Sequence, residues 1–300
     1  MPKLPLPVRN GLGPARVRVA PGSPAVTMFG YLVERFPGSD EFWTAQSHLG
    51  LVVDQNGRTI TPDTAYQPGR LIYYYREPIP ERPVPFSLTV LHQDERIVVV
   101  DKPHFLATIP RGQHVTETAL VRARRQTGIM DLTPAHRLDR MTAGVLILVA
   151  DPRFRQPYQD LFARREVVKT YEAVARYDET VSLPATVYSR IVKQSGVMVA
   201  EELPGEPNSE TVVELAEIVG EYARYRLRPI TGKTHQLRLH MASLGIPISG
   251  DNYYPEYKPV TREDFSRPLR LLAREIEFTD PLTNEPRHFT SQQHLSIPAS

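Results

Sequence analysis

The chain has 300 residues, 41% of them hydrophobic, enough to bury one large core or two smaller ones. Its 36 Lys and Arg nearly balance 34 Asp and Glu, so the net charge of +2 points to no partner and local charge must decide. The absence of Cys excludes disulfides, thiolate nucleophiles and Cys-held metals, and no apolar run reaches the roughly 18 to 20 residues that span a bilayer.

Residues 1–24 carry six prolines, each removing a backbone donor and restricting its predecessor, so we expect an extended arm with no signal-peptide core. Cytoplasmic location is the matching expectation. Residues 25–76 read as a small module. In "VTMFGYLVERF" the spacing of Met28, Tyr31, Leu32 and Phe36 predicts a helix, and "DEFWTAQSHL" predicts a second. "GLVVDQNGRTI" and "GRLIYYYRE" then predict a small sheet, with Asn56-Gly57 as a hairpin signal. The Pro-rich stretch 77–86 is a stiff linker, and a second domain, 87–300, follows.

That domain opens with two strand-like runs in "LTVLHQDERIVVVDKP", divided by the turn His92–Arg96. Further strands are predicted at 145–149, 171–174, 223–229 and 276–279, and helices at 116–126, 155–163 and 235–244. Strands and helices do not alternate strictly, so the expected class is α+β around a mixed or antiparallel sheet.

Two charged segments stand out. In "AHRLDRMTAGVLILVAD", His136, Arg137, Asp139 and Arg140 crowd the mouth of an apolar run that reads as a strand buried on both faces. An isolated Asp-Arg pair is usually a structural ion pair. A carboxylate so placed also suits nucleophilic attack on an electron-poor carbon, and the following "TAG" supplies a turn and close backbone approach. In "YRLRPITGKTHQLRLHMASLGIPISGD", Arg224, Arg226, Arg228, Lys233 and Arg238 precede any acid until Asp251, whereas the stretch before them is acid-rich. Such cations can hold a phosphate backbone, as could Arg122, Arg124, Arg125, Arg153, Arg155, Arg164 and Arg165, for which a solvated helix face is the competing reading. His235 and His240 lie five apart, outside the usual helical metal spacings, and no nucleophile elbow or phosphate-loop motif is present. Spacing alone leaves Tyr171, in "VVKTYEAVA", as either a core tyrosine or a site residue.

"HRLDRMTAGVLILVAD", "VVKTYEAV" and "LRPITGKTHQLRLHMASLGIPISGD", in that order after "VLHQDERIVVVDKPHFLATIPRG", resemble the RluA family of RNA pseudouridine synthases from Leu88 to Ser291. The resemblance departs at Met141, where the family carries an acid, and at Ala143, where it carries Ser. It implies a pseudouridine synthase catalytic domain in which Asp139 is the catalytic aspartate, Tyr171 lies against the target base and Arg238 pairs with Asp139. His136, Arg137, Arg140, Lys169, Lys233 and His235 are then expected to bind substrate, and Leu272 to line the pocket, with Leu271 competing for that place. The expected partner is ribosomal or transfer RNA, bound by a monomer without cofactor, metal or membrane. The small module resembles, more weakly, an α-L RNA-binding module lacking the usual basic residues on its helices, where Arg35 stands beside Glu34, Asp40 and Glu41. Two other classes compete: a non-catalytic RNA-binding protein, and a glycosidase, which would need a second carboxylate about 5 to 10 Å from Asp139.

Overall fold

A computed structural model describes residues 4–76, 80–194, 196–259, 261 and 264–298, so parts of the arm (1–3) and linker (77–79) and the end of the second domain lie outside the described residues. Two compact units divide at Pro80 and Glu81.

In the first unit, β1 (Ala15–Arg18) precedes α1 (Met28–Arg35), α2 (Asp40–His48), β2 (Val52–Asp54) and β3 (Leu71–Tyr74). The strands pair antiparallel in the order β1-β3-β2, so part of the Pro-rich arm is extended as a sheet strand. Thr27 caps α1 by accepting from the Gly30 N–H at 3.0 Å, leaving Met28, Tyr31 and Leu32 on the buried face. Those residues meet Trp43 of α2, Val52, Ile72 and Tyr74 in one core. The Asn56-Gly57 signal does produce a turn, but the regular partner of β2 is β3.

The second unit is built on an 11-stranded sheet. In chain order it contains β4 (Thr89–Gln93), β5 (Ile97–Lys102), α3 (Ala119–Thr127), β6 (Thr133–Pro134), β7 (Ala143–Val149), α4 (Arg155–Ala163), β8 (Val168–Arg176), β9 (Ala185–Val192), β10 (Glu201–Leu203), β11 (Ser209–Val219), β12 (Tyr222–Pro229), α5 (Gln236–Ser243), β13 (Leu271–Thr279) and β14 (Pro286–Thr290). The main path runs β10-β9-β11-β12-β8-β13-β7-β5-β4, with β6 on β7 and β14 on β13. All pairings are antiparallel except β13 with β7, so this is the mixed sheet of an α+β domain.

Every residue of β7 is buried, as its apolar run requires. Its Gly144 has φ +110, and a Cβ there would lie 2.2 Å from the Ala273 carbonyl oxygen. The "TAG" glycine therefore lets β13 close onto β7 just beyond the charged loop.

Folding also cancels much of the charge segregation seen along the chain. The acid-rich stretch forms β11 and lies antiparallel beside the basic β12. Glu217 meets Arg224 at 3.2 Å and Glu214 meets Arg228, so these arginines are cross-strand partners rather than an open cationic patch. Arg122 likewise pairs with Glu117 and donates to the Val84 and Phe86 carbonyls, while Arg124 donates to Leu132 O.

Candidate active site

A cavity of about 980 Å³ opens where the loop before β7, the start of β8 and the turn leading into α5 converge. Arg111, Arg137, Arg140, Arg165, Lys169, Lys193, Lys233 and Arg238 line it, and Asp139 is the one carboxylate among its described lining residues. The cavity thus gathers the two charged segments of the sequence around a single acid. A two-carboxylate glycosidase finds no second acid among these described residues.

The Asp139 loop is fixed by its backbone. Buried Thr108 donates its hydroxyl to Leu138 O at 2.6 Å and accepts from Leu138 N at 3.1 Å. His104 Nδ1 donates to Met141 O at 2.7 Å. Lys102, with no exposed surface, aims its ammonium at the carbonyls of Pro103, Leu106 and Arg140 at 3.0, 2.8 and 3.4 Å. The segment "DKPHFLAT" is thus a clamp on residues 138–141 that leaves the Asp139 side chain in the cavity, 37% exposed. None of these three residues is among the site candidates that the motifs nominate. A lysine ending the buried run "IVVVDK" is nonetheless a signal, since an ammonium is rarely buried without a set of acceptors. Burial pulls the pKa of Lys102 down to about 7, against the raising influence of Asp139.

Asp139, Tyr171, Arg238, His136, Arg137, Arg140, Lys169, Lys233 and His235 all border the cavity. Tyr171 enters from β8, and burial, then the charge of Asp139, raises its phenol above the usual range, so the hydroxyl keeps its proton at neutral pH. Lys169 sits two residues earlier on that strand and donates to Thr231 O at 3.4 Å. His136 borders the cavity as a neutral ring: burial lowers its pKa to about 3, Nε2 accepts from Ile147 N at 3.2 Å, and Phe162 stacks on it at 4.4 Å.

Two expectations require correction. Arg238 does not take Asp139 as its partner; its Nε and Nη2 donate to Asp251 Oδ2 and Oδ1 at 2.7 and 2.5 Å, and both side chains are almost wholly buried. Asp251 Oδ1 also accepts from the backbone N–H groups of Tyr253 and Tyr254, so a planar guanidinium meets a carboxylate already fixed in place. Leu272 does not line the cavity; Leu271 does. Successive side chains of β13 point to opposite faces, and Leu272 packs with Ala143, Val174 and Leu295 instead.

Burial also fixes an acid limit to stability. The pKa values of His104, His136 and His240 are held at about 4, 3 and 4, chiefly by desolvation, against about 6.5 for an unfolded histidine. Unfolding takes up these protons between those limits, so stability is complete above pH 6.5 and falls with acidification. From pH 6.5 to 5.5 each histidine should cost about 1 kcal/mol, about 3 kcal/mol together, by the linkage relation. Urea unfolding followed by far-ultraviolet circular dichroism checks this, since the single tryptophan, Trp43, reports only on the first unit.

With this geometry in view, comparisons identify the chemistry. A family model described as RNA pseudouridylate synthase matches residues 96–243, which span the clamp's partner loop, Tyr171 and α5. The dual-specificity RNA pseudouridine synthase RluA of Haemophilus influenzae is 31% identical over 223 residues, covering 68% of this chain and 93% of that protein. The tRNA pseudouridine synthase C of Vibrio vulnificus is 32% identical over 216 residues, covering 66% and 87%. Among solved structures, human RNA pseudouridylate synthase domain containing 4 is 28% identical with a TM-score of 0.53, covering 69% and 88%. The fold is that of an RNA pseudouridine synthase, an isomerase, and the catalytic reading stands over a non-catalytic RNA binder. The chain belongs to the RluA family of these enzymes.

Proposed function

We propose that the enzyme converts particular uridines of ribosomal or transfer RNA to pseudouridine, with Asp139 starting the reaction in the basic cavity. The observation that carries this assignment is one carboxylate, backbone-clamped, among eight cationic side chains of the described lining residues. The isomerisation breaks the bond from ribose C1′ to uracil N1 and forms one from C1′ to C5; C5 loses a proton and N1 gains one. No net oxidation occurs, so the cycle calls for no redox cofactor. Asp139 opens it by attack at C1′ or by first removing a ribose proton, and both routes use the carboxylate as an electron-pair donor. A paired uridine hides these atoms, so the base must leave the stack, with the Tyr171 ring beside it and Arg137, Arg140, Lys169 and Lys233 meeting phosphates or the vacated gap. Arg238 holds the cavity wall through Asp251.

The related tRNA pseudouridine synthase C supports transfer RNA, and the dual-specificity RNA enzyme supports a second substrate class. The helix pair and three-stranded sheet of residues 15–74 support an α-L-like RNA-binding role for the first unit, and a Cys-free chain suits the cytoplasm. We further propose that it acts as a monomer without metal. Pseudouridine mapping of ribosomal and transfer RNA from cells with and without the gene tests the assignment; identical maps would overturn it. Binding should also be steeply salt-dependent: four phosphate contacts would weaken it about 100-fold between 50 and 200 mM salt. Filter binding to labelled RNA checks the slope, and a flat response would remove the cations from backbone recognition.

A further inference from the structure

One wall of the cavity continues outward as a row of rings. His235 lines the cavity, with Nε2 4.0 Å from Asp139 Oδ2, and its ring centre lies 5.3 Å from that of Tyr253. The next step, 5.9 Å, runs from Tyr253 to Tyr257. One imidazole thus links Asp139 to Tyr253, and Tyr257 stands one ring further on. Neither tyrosine is among the described lining residues of the cavity. The Arg238 guanidinium lies 4.6 Å over the Tyr253 ring and fills that face, whereas Tyr257 is 52% exposed. The row therefore ends in an aromatic ring open to solvent.

A single exposed tyrosine on a surface loop would need no explanation. The loop that carries this one is closed at both ends. Asp251 Oδ1 accepts from the backbone N–H groups of Tyr253 and Tyr254 at 2.7 and 3.1 Å, and Lys258 N donates to Asn252 O at 2.8 Å. Buried Tyr254 accepts from Ala200 N at 2.8 Å and gives its one hydroxyl proton to Ala200 O at 2.9 Å, so His235 Nδ1 donates to the same oxygen at 2.8 Å. These bonds tie the loop to residues 196–200, where Val197 and Met198 line the cavity and remain exposed. Exposed apolar and aromatic groups thus stand beside a cavity marked by cations.

The two kinds of group meet different parts of a nucleic acid. Cations meet phosphates, whereas rings meet bases by stacking. Turning a uridine out of its stack uncovers a face of each neighbouring base, a cost that stacking on the protein can offset. At the tip of the loop Glu256 and Lys258 flank Tyr257, both exposed, so the tip has no net charge with which to hold a phosphate. We propose that Tyr257, supported by Tyr253, is a subsite for the nucleobase beside the target uridine, which stacks on the exposed ring while its backbone meets the cations of the cavity. The proposal rests on the RNA reading of the cavity and adds to it a place for a base outside the uridine pocket. Every base has a face to stack, so the subsite sets the register of the strand and not its sequence.

The test uses the full chain with Tyr257→Ala and Tyr257→Phe, and two probes that separate bases from charge. One is a short single-stranded RNA with one uridine among adenines; the other is inorganic polyphosphate, a chain of phosphates without bases. Tyr257→Ala should weaken RNA binding about tenfold and Tyr257→Phe by less than about twofold, because Phe keeps the stacking face. Polyphosphate binding should stay within about twofold of wild type in both variants, and the salt slope on RNA should persist, since no phosphate contact is removed. In single-turnover release of tritium from uridine C5, measured on total RNA from cells lacking the gene, Tyr257→Ala should raise the half-saturating enzyme concentration about tenfold. The residue is exposed, so both variants should melt close to wild type. Unchanged RNA affinity in Tyr257→Ala, equal loss on both probes, or a Phe variant as weak as Ala would each overturn the proposal. So would a shift from dimer to monomer in gel filtration of Tyr257→Ala, which would assign the ring to a contact between copies. If the wild type binds neither probe in a salt-dependent way, the RNA reading of the cavity fails instead.

Discussion

Asp139→Asn is expected to reduce isomerisation on the order of 10⁴-fold or more while leaving RNA binding intact or slightly tighter. The magnitude is that seen when an enzyme loses a reacting or directly supporting side chain and keeps its other binding groups. The loop should not move, because its restraints do not use the carboxylate: Thr108 holds Leu138, Lys102 reaches Arg140 O, His104 holds Met141 O, and Thr142 N donates to Asp139 O at 3.1 Å. Asn has nearly the shape of Asp, so the cavity keeps its form. Its charge does change. With Asp139 the one carboxylate among the described lining residues, neutralising it leaves the other cations of the cavity less opposed, Arg238 being already paired with Asp251, which favours a phosphate backbone. Single-turnover tritium release and filter binding at one salt concentration measure the two effects separately. A variant with a normal rate would remove Asp139 from the chemistry, whereas loss of rate and affinity together would mean that the side chain holds the loop after all.

The parts of the fold that are legible in the sequence are those whose burial is one-sided or complete. β7 is apolar at every position, and α1 repeats its apolar residues at helical spacing, so each carries its own evidence. β9 and β11 escape a reading of the sequence because their exposed positions bear charge and hydroxyls at intervals that resemble a loop; the charges of β11 become intelligible only beside β12. For the site, the motifs bring the expected residues to one cavity, but pairing within it is not legible. Arg238 and Asp251 are thirteen residues apart, and nothing in their spacing says that the chain after α5 turns back to present the acid. Asp251 is nevertheless visible as the first acid after the basic run. Leu271 and Leu272 differ by one step of a two-residue period, so an uncertain register exchanges cavity for core.

Asp251→Asn should be among the most damaging single changes in the molecule despite lying outside the cavity lining. Burial works against the charge of Arg238, but the hydrogen bonds and charge of Asp251, with a smaller contribution from Asp139, more than offset it and raise the guanidinium pKa further. The side chains are 2% and 1% exposed, so water cannot replace a lost partner. Removing one member of such a pair leaves an uncompensated buried charge and typically costs about 3 to 5 kcal/mol. Arg238→Met should cost a similar amount, and Arg238→Lys should recover only part, because an ammonium cannot make both bonds to one carboxylate in that plane. Arg238→Met combined with Asp251→Asn should lose less than the sum of the single changes, since neither then strands the other. The guanidinium also lies over Tyr253 and Tyr254 at 4.6 and 5.4 Å, so activity should fall with stability as the wall beside Asp139 loosens. Urea unfolding at pH 7 gives the three stabilities and their coupling, and single-turnover rates on the folded fraction give the catalytic cost. Under an Arg238–Asp139 pairing, Asp251→Asn would be nearly silent and Arg238→Met would act through the pH profile of Asp139. A silent Asp251→Asn would therefore restore that pairing, whereas strong coupling between Arg238 and Asp251 assigns the guanidinium to the wall of the site.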